Sequence, residues 1–137
     1  VQGVVWSAIL KNVYAIGLGM TEGLGWGANA RGWYVAKAVA EAGSILEDLG
    51  GRRETFHDTA GVGDLVATGF SPFSKNRTLG ERWAKTGKAP HESEGQVSLP
   101  ALLTVLDGRA KKYPLLMALK ATLIDRKKTR EVFEKLL

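Results

Sequence analysis

Cysteine is absent from this sequence of 137 residues, so the chain forms neither disulfide bonds nor metal sites with thiolate ligands. Histidine is also scarce, because only His57 and His91 are present. Two histidines this far apart in the chain lack the short spacing that is typical of zinc sites. We expect both histidines on the surface or in loops, and we expect no metal ion.

Uninterrupted apolar stretches are short as well. The longest apolar segment, from Val4 to Met20, is broken by Ser7, Lys11 and Asn12. A membrane-spanning helix needs about 20 predominantly apolar residues without a central charge, and the first residues lack the basic start and cleavage site of a signal peptide. These absences predict a cytoplasmic protein without a membrane span.

The length and composition are those of one globular domain. With 45% hydrophobic residues, 137 residues can enclose a single core. The chain begins with VQGVVW, without an initiator methionine, and a helical pattern is already under way there. This start indicates a piece of a longer polypeptide.

The charge balance would suit an anionic ligand, although a general basic bias of the surface would give the same balance. There are 19 basic and 14 acidic residues, which gives a net charge of +5. The basic residues do not form a stripe interleaved with aromatic residues, which is the pattern typical of nucleic-acid binding. We therefore expect no nucleic-acid partner.

The periodicity of the sequence predicts an all-α fold with six or seven helices, because no alternating strand pattern persists. Asn29 and Thr129 are predicted N-caps, and Gly50 with Gly51 is expected to end the second helix. The first helix is apolar nearly all round, which predicts burial at the centre of the domain. The predicted helices cover residues 4–20, 30–49, 64–68, 78–84, 99–106, 114–124 and 130–137.

Lys11 lies in the middle of that first apolar helix and needs an explanation. A buried ammonium group is costly unless it is paired or gives up its proton. One interpretation is a lysine that extends along the helix to solvent or pairs with a carboxylate. The other is a general acid and base, since partial burial would lower its pKa towards neutrality. Asn12 beside it would then orient a hydroxyl group or make a contact between helices.

A second polar cluster follows two glycines in the middle of the chain. Gly61 and Gly63 permit an unusual backbone entry into a helix, but this G-x-G does not follow a strand and so is not a dinucleotide fingerprint. A hydroxyl, an amide and two cations at a helix start suit a phosphate, although a capped helix with solvated charges has the same pattern. The cluster comprises Asp64, Thr68, Ser74, Lys75, Asn76 and Arg77.

Four motifs together resemble the C-terminal domain of NAD(P)-dependent sn-glycerol-3-phosphate dehydrogenases. They are LKNVYAIGLGMTEGLGWGANA, LGGRRETF, AGVGDLVAT and SKNR, in this order, and the similarity spans residues 1–80 most clearly. The resemblance implies an all-α substrate-binding domain over residues 1–137, similar to the C-terminal domain of 6-phosphogluconate dehydrogenase. It also implies an N-terminal Rossmann domain, which this chain lacks, as a partner.

The resemblance assigns a role to each matching residue. Lys11 corresponds to the catalytic lysine, which exchanges a proton with dihydroxyacetone phosphate or glycerol 3-phosphate while NAD or NADP exchanges hydride. Glu94 corresponds to a cofactor contact, and Lys75 stands where the family pattern has an arginine that binds phosphate and reaches the cofactor. Arg77 is a candidate to supply part of the missing guanidinium fork. The implied substrate-binding residues are Lys11, Asn12, Asp64, Thr68, Ser74, Lys75 and Asn76.

Two functions remain open from the sequence. The first is the catalytic-lysine half of a glycerol-3-phosphate dehydrogenase, expected to form a homodimer and, as this isolated chain, to be inactive. The second is a non-catalytic helical module that kept the fold and binds an anion or a partner. The sequence does not distinguish NAD from NADP, because the residues that usually read the ribose lie in the absent domain.

Overall fold

The computed structural model describes residues 2–137, apart from the side chains of residues 2, 59 and 60. Helices and turns make up the described residues, which contain no β-strand, so the all-α prediction is confirmed. A π-helical turn, Thr59–Gly63, precedes α4, and a 3₁₀-helical turn, Asp107–Lys112, precedes α7. The α-helices are α1 (Gln2–Gly23), α2 (Ala28–Asp48), α3 (Arg53–His57), α4 (Asp64–Phe70), α5 (Lys75–Thr86), α6 (Glu94–Leu106), α7 (Pro114–Leu123) and α8 (Thr129–Glu134).

Helix α1 is the central element of the core. Its middle and end are lined by side chains with no exposed surface, among them Leu10, Tyr14 and Leu18, and the other long helices pack around it. By length and composition, residues 3–23 of α1 would also suit a membrane span. However, 56% of the most apolar 18-residue segment of this helix is buried inside the domain. The central helix of a protein core meets the same criterion of length and composition, and the burial of α1 is typical of such a core helix.

Helices α1 and α5 cross with their backbones nearly in contact. At Gly80 of α5, a β-carbon would lie 1.9 Å from the carbonyl oxygen of Ile16 in α1, which no side chain can tolerate. Glycine is therefore required for this approach. The crossing matters for the site because α1 carries Lys11 and Asn12, whereas the start of α5 carries Ser74–Asn76.

Several predicted helix boundaries are wrong. Gly27, not Asn29, is the N-cap of α2, and Lys128, not Thr129, is the N-cap of α8. Thr129 is instead the first helical residue and is buried. The backbone of Gly27 is extended, and it makes no side-chain cap bond, so a polar side chain was not needed there.

Other helices are longer or more numerous than predicted. Eight α-helices occur in the described part of the chain, because the five-residue α3 was missed and no periodic pattern marks so short a helix. Helix α5 begins at Lys75 rather than near Thr78. Helix α6 begins at Glu94 rather than Leu99, since Ser93 caps it through a bond to the Gln96 N–H.

A buried glutamate that the sequence analysis did not single out ties α2 to its neighbours. Glu41 accepts hydrogen bonds from the Tyr14 hydroxyl at 2.7 Å and from the backbone N–H groups of Leu115 and Leu116 at 2.8 and 3.1 Å. It thereby satisfies the start of α7, where Pro114 occupies the first turn as predicted. Burial raises the pKa of Glu41 despite these hydrogen bonds.

Candidate functional site

Lys11 and Asp64 form an ion pair between α1 and α4. The Lys11 Nζ lies 3.8 Å from the Asp64 Oδ2, and 22% of the lysine side chain is exposed. Asp64 reaches this position because it starts α4 directly after the π-helical turn, in the region where the glycines predicted an unusual backbone entry. Such turns occur frequently at functional sites. The ammonium group is thus partly buried, yet open to solvent and held beside a carboxylate.

A chain of side-chain amides joins α1, α5 and α6. The Asn76 Nδ2 donates to the Asn12 Oδ1 at 3.2 Å, and the Asn12 Nδ2 donates to a Glu94 carboxylate oxygen at 3.1 Å. The Asn76 Oδ1 accepts from the backbone N–H of Gly95 at 2.9 Å. Asn12, Asn76 and Glu94, all predicted from the sequence, therefore lie together in one network.

Gly95 explains how α6 comes close enough to complete this network. A β-carbon at Gly95 would lie 2.5 Å from the Asn12 carbonyl oxygen and 2.9 Å from the Asn76 Oδ1. Only a residue without a side chain fits there, so the start of α6 rests directly on α1 and α5. The side chain of Asn76 is buried within this contact and serves as a fixed part of the site's framework.

The start of α5 has the features of an anion site. The Ser74 Oγ caps the helix by accepting a hydrogen bond from the Arg77 N–H at 3.2 Å, and Lys75 is the exposed first residue. The ring of His91 is 3.1 Å from the Lys75 carbonyl oxygen and so supports the same turn. The first turn of a 12-residue helix presents backbone N–H groups and the positive end of its dipole to an anion.

Arg77 does not contribute to that anion site, and the suggestion that it completes a guanidinium fork is wrong. Its side chain is only 8% exposed, and its Nη1 lies 2.6 Å from the Glu22 carboxylate. The Arg77 Nε donates to the Ser71 carbonyl oxygen at 2.7 Å, and Glu81 lies 3.5 Å from its Nη2. Arg77 therefore fixes the loop before α5 against the end of α1.

An open groove lies beside the amide network. Its volume is about 930 Å³, and four of the predicted residues line it: Asn12, Lys75, Asn76 and Glu94. Its apolar wall is formed by residues that the sequence analysis did not single out, Val4, Val5, Ala8, Ile9 and Val97. We call this feature the α1/α6 groove.

The start of α1 departs from the burial predicted for the whole helix. Val4 and Val5 are 67% and 55% exposed, and Val97 of α6 is 61% exposed. The spacing of residues 4, 5, 8, 9 and 12 places one face of α1 towards the groove. This spacing could have indicated an exposed face in the sequence, but the helix is apolar on nearly all sides, so that face does not stand out.

The predicted residues therefore fall into two groups. Lys11 and Asp64 form one, and Thr68 lies one turn after Asp64 on α4, half-buried. Asn12, Lys75, Asn76 and Glu94 of the α1/α6 groove form the other, and Ser74 caps α5 directly before Lys75. The two groups are linked by the adjacent positions of Lys11 and Asn12 on α1. Within the described part of the chain, no cluster of residues suits a metal ion.

Comparison with known proteins gives one consistent family. A family model described as the C-terminus of NAD-dependent glycerol-3-phosphate dehydrogenase matches residues 1–134. The glycerol-3-phosphate dehydrogenase [NAD(P)+] of Burkholderia lata is 35% identical over 132 residues, covering 91% of this chain and 40% of the relative. The corresponding protein of Salinibacter ruber is 34% identical over 145 residues, covering 100% of this chain and 42% of the relative.

Solved structures agree with the sequence relatives. The crystal structure of glycerol-3-phosphate dehydrogenase from Coxiella burnetii matches with a TM-score of 0.86 and 27% identity, over 98% of this chain and 43% of that chain. The yeast enzyme from Saccharomyces cerevisiae matches with a TM-score of 0.82 and 25% identity, over 95% and 40% of the two chains. This chain spans about two fifths of the length of these relatives. The chain belongs to the family of NAD-dependent glycerol-3-phosphate dehydrogenase C-terminal domains.

Proposed function

We propose that this chain is the substrate-binding domain of an enzyme that interconverts glycerol 3-phosphate and dihydroxyacetone phosphate, with Lys11 as the acid and base. The observation that carries the proposal is the Lys11–Asp64 pair, a partly buried ammonium beside a carboxylate at 3.8 Å. A structural lysine that pairs with a carboxylate would have the same geometry, so membership of the family is what favours the catalytic role. Family membership supplies the substrate and the reaction.

The chemistry needs a proton at one oxygen atom. NAD(P)H, when bound, supplies the hydride that reduces the carbonyl carbon of dihydroxyacetone phosphate. The Lys11 Nζ gives a proton to the carbonyl oxygen as negative charge develops there, and in the reverse direction it removes the proton of the C2 hydroxyl. Asp64 holds the ammonium in place, and the 22% exposure of Lys11 lets water restore its proton.

The substrate phosphate is assigned to the start of α5. Ser74 and Lys75 stand at the first turn, where backbone N–H groups and an exposed ammonium favour a doubly charged anion. Asn12 and Thr68 are assigned to the substrate hydroxyl groups. Asn76 acts mainly by holding Asn12, because both ends of its amide bond to other parts of the protein.

The cofactor and the N-terminal Rossmann domain that the resemblance implies are assigned to the α1/α6 groove. Lys75 and Glu94 line this groove, and they offer an ammonium for a phosphate and a carboxylate oxygen for a hydroxyl or amide of NAD or NADP. These two groups fit one edge of a dinucleotide but do not enclose it. The exposed valines of the groove suit the N-terminal Rossmann domain, which would supply the remaining contacts. The resemblance further implies a cytoplasmic homodimer.

A graft onto a relative tests the role of Lys11. Residues 1–137 would replace the matching part of the Coxiella burnetii enzyme, and activity would be measured with and without Lys11→Met. The loss of acid–base catalysis should lower kcat by roughly 10²–10⁴-fold, with NADH binding nearly unchanged. Lys111→Met, at an exposed lysine in the 3₁₀-helical turn, is the matched control. A Lys11→Met graft with the parent graft's kcat would contradict the assignment and favour a non-catalytic module.

A further inference from the structure

A second basic feature lies at the other end of α5, away from the candidate active site. A cleft of about 400 Å³ opens between the end of α5 and the loop that leads into α8. Five cationic side chains line it, and no carboxylate is among its lining residues. The cations are Lys85, Arg126, Lys127, Lys128 and Arg130. We call this feature the basic cleft.

Three of these cations have no ionic partner in the described part of the chain. Arg126, Lys127 and Lys128 are consecutive and exposed, and no carboxylate lies within 4.0 Å of their charged groups. The adjacent Asp125 is paired instead with Lys120, at 3.0 Å. Three neighbouring like charges repel one another unless an anion lies between them. We therefore expect this surface to attract an anion.

Arg126 is held in place by an uncommon backbone conformation. Its φ is +58°, in the left-handed region where non-glycine residues are disfavoured by roughly 1–2 kcal/mol. The guanidinium carbon lies 5.4 Å from the centre of the Trp83 ring, and this cation–π contact compensates for part of that cost. The turn is further fixed by a hydrogen bond from the Lys127 N–H to the Ala121 carbonyl oxygen at 2.9 Å. The cations are thus presented by an ordered loop.

Neither helix stability nor packing accounts for the whole cluster. Lys85 lies in the last turn of α5, where a cation favours the helix dipole, and it also pairs with Glu81. Arg126 covers Trp83. These reasons do not apply to Lys127 and Lys128, which stand before α8 and face solvent.

We propose that the basic cleft binds a small anion that carries two or more phosphate groups. A volume of about 400 Å³ suits a small ligand. Trp83 is only 5% exposed, so the cleft offers no open aromatic face on which nucleic-acid bases could stack. The cleft and the start of α5 lie at opposite ends of one helix, about 16 Å apart at 1.5 Å per residue. The proposal is therefore independent of the proposed function.

Calorimetric titration of the full 137-residue chain with inorganic tripolyphosphate tests the proposal. The double variant Lys127→Gln/Lys128→Gln should bind at least tenfold more weakly than the unsubstituted chain. The control Lys37→Gln/Lys111→Gln removes the same charge at exposed lysines outside the cleft and should bind within twofold of the unsubstituted chain. Equal loss in both double variants, or no binding by the unsubstituted chain at millimolar tripolyphosphate, would overturn the proposal.

The NMR chemical shifts of the backbone amides would show where the anion binds. They distinguish the basic cleft from the phosphate site proposed at the start of α5. Tripolyphosphate should shift the resonances of residues 83–88 and 126–130. Shifts confined to residues 74–77 would place the anion at the start of α5, which would overturn this proposal and leave the proposed function intact. Tighter binding of single-stranded DNA than of tripolyphosphate, lost in the Lys127→Gln/Lys128→Gln variant, would also overturn it by showing that the surface binds a polymer.

Discussion

At the scale of single residues, the sequence singled out polar residues that the fold brings together, such as Asn12 and Asn76, but not what surrounds them. A lysine in an apolar helix is conspicuous in the sequence, and Lys11 lies beside Asp64, as both the structural and the catalytic interpretation predict. Arg77 was misassigned because its partner Glu22 is 55 residues away in the chain. Whether a cation faces a ligand or an internal carboxylate depends on tertiary packing, which no local pattern records.

The role of Glu41 likewise depends on tertiary contacts that no local pattern records. Its burial leads to a prediction about the pH dependence of stability. Burial raises its pKa above the ordinary value of 4.5, so the folded protein binds its proton more tightly than the unfolded chain does. The contribution of this group to stability is therefore fully present below the unfolded pKa and is lost as pH rises through the folded pKa. We expect the free energy of unfolding to fall over that range because of Glu41.

The variant Glu41→Gln isolates this contribution. The amide has one acceptor oxygen for three donors, so the variant should lose about 1–3 kcal/mol of stability. Urea unfolding at a series of pH values would be compared for the two proteins. The stability difference between them should be largest near pH 4 and narrow as pH rises. A difference that widens with pH would mean that the hydrogen bonds, not burial, dominate the pKa of Glu41.

At the scale of elements, long periodic helices were predictable and short or interrupted ones were not. Helices α1, α2 and α7 follow clear apolar patterns, and each was predicted to within three residues at either end. The sequence pattern predicts that helix α6 starts at Leu99, one residue before Pro100. The structure instead places Pro100 at the seventh position of this helix. The N-cap at Ser93 sets the start of α6. Serine is so common in sequences that this cap could not be recognised from the sequence.

The contact between α1 and α5 yields a prediction at this scale. Gly80→Ala would place a β-carbon 1.9 Å from the Ile16 carbonyl oxygen, so the two helices must separate. Overpacking of this kind costs about 1–3 kcal/mol, and thermal unfolding should detect it as a lower Tm. The separation should also weaken the Asn12–Asn76 hydrogen bond between the same helices.

Gly32→Ala is the matched control for this substitution. Gly32 lies inside α2, and a β-carbon there meets no atom within 4 Å. Alanine is favoured over glycine in a helix by roughly 0.8–1.0 kcal/mol, so this variant should be more stable than the unsubstituted chain. If Gly80→Ala were also stabilising, the close crossing of α1 and α5 would be refuted.

At the scale of the whole molecule, net charge pointed to an anionic ligand but gave no position for it. The excess of +5 comes from residues 109–137, which hold nine basic and three acidic residues, whereas residues 1–108 hold ten basic and eleven acidic residues. The fold places Lys75 at one end of α5 and the cations of the basic cleft at the other. The exposed valines at the α1/α6 groove lie on a further surface. Each of these three surfaces suits a different partner. They can be distinguished only in the three-dimensional structure.

The α1/α6 groove gives the last prediction, which concerns the association of the isolated chain. Val4, Val5 and Val97 are more than half exposed on this open apolar surface, and such surfaces mark interaction sites. When residues 1–137 are prepared on their own, two copies should associate through this face, and sedimentation should show a concentration-dependent dimer. Val5→Glu/Val97→Glu should weaken the dimer at least tenfold because charges would be buried. Val66→Glu/Ile124→Glu, at exposed residues outside the groove, should leave it unchanged. Dimerisation that is weakened only by the second pair would move the interface away from the groove.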